Sequence, residues 1–154
     1  MTKFRLLQVR DCPGILWAFF QEYIDSSIAS FEGDFSELDL DELIGCSKDE
    51  TYSLRRQTLE PLMDFIVVPI NYQNVKVLKK IFAKQNVLGT NGSIIHIQIE
   101  SRGEPLLIAC DNFHDDCTVS SASVPEVFLK HLKARGILRD YAPTEHVVPE
   151  PTNL

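Results

Sequence analysis

A chain of 154 residues with 44% hydrophobic, 9% aromatic and 24% charged residues has globular proportions, which excludes wholesale disorder and suits one domain that folds without staples. Its net charge of −7 argues against a nucleic-acid partner. The longest apolar runs, residues 14–20 and 65–70, fall far short of the roughly 20 residues that span a bilayer, so no membrane partner is expected either.

The amino terminus lacks the apolar stretch that follows the basic start of an export signal, so the mature chain is expected to begin near Met1 and to be cytoplasmic. Cys12, Cys46, Cys110 and Cys117 then read as reduced thiols. Residues 2–9 alternate loosely and suit a first strand. Asp11-Cys12-Pro13-Gly14 resembles a helix start, because proline is tolerated in a first turn. Ile15, Leu16, Phe19, Phe20, Tyr23 and Ile24 continue it as an apolar stripe. Ser36-x-x-Asp39 before Leu40, Leu43 and Ile44, with Gly45 behind them, predicts a short capped helix. Ser47 to Glu50 repeats the capping-box pattern, and residues 51–59 continue either as helix or as an exposed strand.

Residues 64–70 are a β-rich run with Pro69 near its end, suited to a strand edge or terminus. Val75, Leu78, Ile81 and Phe82 form a helical stripe with Lys76, Lys80 and Lys84 on the solvent side. Residues 94–100 and 105–113 are apolar segments whose glycine-containing connection predicts a hairpin. A two-residue loop at Arg102-Gly103 would place His96 opposite Ala109 and Ile95 opposite Cys110, so that His96 and Cys110 point to opposite faces. Ser123 to Glu126 opens a last helix with Val124, Val127, Phe128 and Leu132 inward and Gly136 as its stop. Residues 1–141 are read as a single α+β domain, a mostly antiparallel sheet packed with helices in two layers, and residues 142–154 as an extended proline-containing tail.

Charge is distributed unevenly. Residues 25–50 hold nine acids against Lys48 alone, which gives that stretch −8 where the whole chain has −7, and leaves the remainder at +1. Such asymmetry can steer a basic partner, and Asp34, Glu37, Asp39, Asp41 and Glu42 are the candidate binding carboxylates. Asp39, Asp41, Ser47 and Glu50 fit four positions of a calcium loop. Leu43 and Ile44 occupy its other ligand and glycine positions, so no calcium is expected. Cys110, His114 and Cys117 are too few and wrongly spaced for structural zinc, and no cofactor is expected.

A second set has the composition of a nucleophilic site. Cys12 stands at a helix amino terminus, where free N–H groups favour a thiolate, and His96 with Asp111 could supply a base and its orienting carboxylate. Locally Asp11-Cys12-Pro13-Gly14-Ile15-Leu16 resembles the Asp-Cys-Ser-Gly-hydrophobic-hydrophobic motif of papain-like bacterial cell-wall amidases, with Pro13 in place of the serine. That resemblance implies a cysteine hydrolase or transferase using Cys12, His96 and Asp111. The charge pattern implies instead a small non-enzymatic protein that offers an acidic surface to a basic protein partner, as inhibitors do when they shield a toxin or nuclease. Of the two, the binding protein is the expected function.

Overall fold

The computed structural model describes residues 4–144. In chain order the elements are β1 (Phe4–Val9), α1 (Cys12–Glu22), β2 (Ser27–Gly33), β3 (Asp64–Ile70), α2 (Tyr72–Phe82), β4 (Ile94–Ser101), β5 (Glu104–Ala109), β6 (Thr118–Ser121), α3 (Glu126–Ala134) and β7 (Leu138–Thr144). The strands form one sheet in the order β3-β2-β4-β5-β6-β1-β7, and every neighbouring pair is antiparallel. The fold is α+β, an antiparallel sheet with its helices packed on it in two layers. No helix among the described residues is long and apolar enough to cross a membrane.

Alternation along the strands sorts the sheet into two chemically different faces. Ala29, Phe31, Val68, Ile97, Ile99, Leu107 and Ala109 point to one face and join Ile15, Leu16, Phe19 and Phe20 of α1, Leu78, Ile81 and Phe82 of α2, and Leu129 and Leu132 of α3 in one apolar core. Its aromatic rings meet edge-on or stacked: Phe19 lies 5.1 Å from Phe128, and Trp17 lies 5.8 Å from Phe82. The opposite face carries Glu32, His96, Gln98 and Glu100 beside Ile28, Phe65 and Val67.

Local chemistry accounts for the helix ends. The Asp11 carboxylate accepts the Gly14 N–H at 2.9 Å and caps α1 at the helix start that the residue order predicts. At the other end of the chain α3 stops at Gly136, whose φ of +75° suits a residue without a Cβ. The expected cap of α3 is not formed: the helix begins at Glu126, and Ser123 Oγ is bonded to Ser121 Oγ instead. Gly33 closes β2 where the register against β4 shifts, and a Cβ there would lie 2.0 Å from the Ser93 carbonyl oxygen.

Several expectations are corrected. Residues 27–33, which fall in the acidic stretch 25–50 where no strand is expected, are β2, an interior strand of the sheet. Neither the capped helix at Ser36 to Gly45 nor the one at Ser47 to Glu50 forms. Ser47 Oγ accepts the Asp49 N–H in a local turn instead of capping. β7 runs through Thr144, with Ala142 opposite Leu6 and Pro143 opposite Arg5, so the first residues expected in the tail are strand. The rest of that segment lies outside the described residues. The β4/β5 hairpin carries a bulge between Ile99 and Glu100, after which Ile97 pairs with Ala109, one residue away from the expected register. Alternation then puts His96 and Cys110 on the same face.

Candidate functional site

Residues 34–63 join β2 to β3 without a helix or strand of their own, well beyond the roughly 12–15 residues at which such connections become uncommon. They form a strap that starts on the helix side, crosses the edge of β3 and finishes on the polar face. On the helix side Phe35, Leu38, Leu40 and Leu43 pack on the core. At the crossing the wholly buried Asn74 holds both polar groups of Ile44, accepting its N–H at 2.9 Å and donating to its carbonyl at 2.8 Å. The remaining amide hydrogen of Asn74 goes to the Pro69 carbonyl at 2.9 Å, so strap, β3 and α2 share one side chain. Ser47 next pairs with Val67 on the outer edge of β3 through two backbone bonds.

On the polar face the strap is held by acceptors and donors that project from the sheet. The Glu32 carboxylate, 1% exposed, accepts the Gln57 N–H at 2.7 Å through one oxygen and the Thr58 N–H at 3.1 Å through the other. His96 stands opposite Glu32 on β4, and its Nδ1 accepts the Asp111 N–H at 3.2 Å. The proton therefore sits on Nε2, which donates to Thr58 Oγ1 at 2.8 Å. Burial holds the imidazole below its ordinary pKa, against the opposing pull of the Glu32 and Asp111 carboxylates. Gln98 donates to the Arg55 carbonyl, and Thr51 Oγ1 donates to Glu100 at 3.3 Å. Leu54, 1% exposed, fills the remaining space against Ile28, Phe65 and Val67.

The Asp111 turn that supports His96 is itself unusual. Asp111, Asn112 and Phe113 have φ of +49°, +57° and +64°, three consecutive left-handed residues at a cost of about 1–2 kcal/mol each. Compensation comes from Asn112, which donates its backbone N–H to Ile95 and its side chain to Gly92 and Ile94, and from the burial of Phe113.

The sequence-derived nucleophilic set is not assembled. Cys12 packs against the core on the helix side, whereas His96 projects from the opposite face of the sheet. The thiol is not activated by its helix start: burial, and then the charge of Asp11, push its pKa up to about 11. Burial is the larger cause, and Asp11, which occupies a free N–H and places an anion beside the sulfur, adds to it. Asp111 meets His96 through its backbone, and both ring nitrogens of His96 are engaged, so the imidazole has no lone pair free to act as a base. Cys110 is likewise pushed up to about 12 by burial. Cys117 donates to the Cys110 carbonyl at 3.2 Å, and no group of three or more His, Cys, Asp or Glu among the described residues is arranged to hold a metal ion.

The candidate binding carboxylates are placed differently. Asp34, Glu37, Asp39, Asp41 and Glu42 are all exposed on the strap, while Glu32, counted in the same acidic stretch, is buried beneath it. Two of the five make local turns: Asp34 accepts the Ser36 N–H, which lowers its pKa, and Asp39 accepts the Asp41 N–H. Glu42 lies 3.9 Å from Lys80, an open pair that water screens. Large apolar side chains are exposed elsewhere along the strap, Ile44 at 62%, Tyr52 at 87% and Leu62 at 65%. No family model, curated protein or solved structure matches the chain.

Proposed function

We propose that the strap is a docking surface for a basic protein partner and that the protein acts by binding rather than by catalysis. The observation that carries this reading is the combination of exposed charge with anchored backbone: the acids of residues 34–50 ride on a connection fixed through Asn74, Val67 and Glu32. A surface fixed in advance loses little conformational entropy when a partner arrives. Exposed carboxylates raise the encounter rate with a cation-rich surface, and Tyr52 and Leu62 provide apolar anchors of the type that supplies affinity at interface centres. Binding by this route is electrostatically steered and falls as salt rises.

The test is capture and kinetics. Immobilised protein should retain a basic partner from an extract of its source. Glu37→Lys, Asp39→Lys and Glu42→Lys together should slow association without unfolding the chain, and salt should slow the wild-type rate in the same direction. A partner whose association is indifferent to salt and to the triple reversal would refute the docking reading. Alkylation at neutral pH distinguishes the cysteine-hydrolase alternative, because a thiol with a pKa of about 11 reacts slowly. A fast Cys12 whose rate depends on His96 would restore that alternative.

A further inference from the structure

On the polar face, two residues beyond Gln98, Glu100 projects beside Thr51 of the strap with 5% of its surface exposed. Thr51 satisfies one carboxylate oxygen at 3.3 Å, but the other is buried and has no hydrogen-bond partner. A buried acceptor left unmade costs about 1–3 kcal/mol, more for a charged group, so such an atom calls for an explanation. Burial also raises the Glu100 pKa, and Thr51 offsets only part of the rise. Glu100 lines a cleft of about 610 Å³ at the end of β2, β3 and β4, together with Asp25, Ser26, Ser27, Asn71 and Arg102. That volume is within the roughly 300–1,000 Å³ of ordinary ligand sites.

We propose that the cleft over Glu100 receives a positively charged side chain, arginine or lysine, from the basic partner. The proposal rests on the docking reading and locates one anchor of it. The buried oxygen of Glu100 accepts from the incoming guanidinium or ammonium group. Asp25, exposed in the turn before β2 with φ of +62°, adds a second carboxylate at the rim, and Ser26 and Ser27 line the wall. Arg102, exposed at the hairpin turn, is the one opposing charge among the lining residues. The cation meets an acceptor that is itself buried, where a charge-assisted bond is worth more than at the open surface.

The probe is N-acetyl-arginine amide titrated into the full chain, with the neutral citrulline analogue beside it and backbone amide shifts as the readout. Arginine amide should move Ser26, Ser27, Arg102 and Gly103, and citrulline amide should not. Glu100→Gln, which keeps the shape and removes the charge, should weaken binding by about tenfold or more. Asp25→Asn should weaken it less; it tests the rim without touching the buried carboxyl, since asparagine tolerates the same backbone. Arg102→Ala should tighten it. Cleft shifts that vanish in Glu100→Gln uphold the site even where partner capture ignores the strap, in which case the docking surface alone falls. Absent shifts, shifts shared by citrulline, or shifts indifferent to both acids overturn the site while leaving strap-dependent capture standing.

Discussion

The two faces of the sheet are stabilised in different ways. Toward the helices, contact is apolar and shared among many side chains, so that Phe19, Phe20, Leu16 and Ile15 lose all exposure without any one bond defining the arrangement. Toward the strap, contact depends on individual bonds: one carboxylate to two N–H groups, one imidazole between a backbone N–H and a threonine, one amide to one carbonyl. Apolar burial supplies most of the stability, roughly 1.5–3 kcal/mol per large side chain. The polar bonds add less net energy, but they fix which part of the strap lies over which strand. One face makes the protein fold, and the other decides what it displays.

Substitutions on the two faces should differ in kind as well as size. Phe19→Ala empties a wholly buried site between α1 and α3 and should cost about 3–5 kcal/mol in chemical denaturation, with loss of protection throughout the sheet. Glu32→Gln sets an amide N–H against a backbone N–H and should cost about 2 kcal/mol. Hydrogen exchange should then quicken at Gln57 and Thr58 while the core strands stay protected; uniform quickening would mean the strap is not a separate unit.

The pH response sharpens the contrast further, because the polar face buries His96 and Glu100 where the helix side buries apolar side chains. His96 is held below the ordinary histidine value of 6.5, so as pH falls the unfolded chain binds a proton that the folded chain refuses. Stability is therefore present above about 6.5 and is lost as pH falls toward the folded value. Glu100 is raised above the ordinary glutamate value of 4.5 and runs the opposite way, gaining stability as pH falls through its folded value. His96→Asn should remove the first loss, so denaturation of variant and wild type at about pH 7.5 and about pH 5.5 should show a difference that narrows in acid. A constant difference would assign His96 a neutral packing role. Smallest of all, Glu42→Gln should change stability by about 0.5 kcal/mol or less, since its contact with Lys80 is long and exposed on both sides.

The helix side was legible in the sequence and the strap side was not, for a physical reason. Ile15, Leu16, Phe19 and Phe20 repeat at helical spacing, and Gly136 marks an end by local chemistry, so α1, α2 and the span of α3 follow from short windows, although Val127, expected inward, is exposed and Leu129 is buried instead. The Asp64–Ile70 strand and the hairpin were legible for the same reason. Glu32 looked like one more surface acid because its partners, Gln57 and Thr58, are twenty-five and twenty-six residues away and offer backbone groups that no residue pattern announces. β2 was hidden by that same glutamate and by Ser27 and Ser30, which make a central strand look polar. The hairpin register failed at the bulge, where one residue inverts the face of everything that follows. For Cys12, the helix start was visible in the sequence, but burial and then the charge of Asp11 work against the thiolate that a helix start would otherwise favour.

The crossing of the strap at Ser47 also changes what the outer edge of the sheet offers to another strand. A sheet edge with open N–H and C=O groups is a template for another strand, and chains that leave one bare tend to grow into aggregates. Here the outer side of β3 meets Ser47, and Pro69, which has no N–H to offer, sits near its end. At the far edge β7 places exposed Arg139 and Asp140 beside Pro143. A neighbour seeking to extend the sheet finds one rim already crossed by covalent chain and the other bearing charge and proline, so the wrapping that exposes the acids also occupies the β3 edge at Val67.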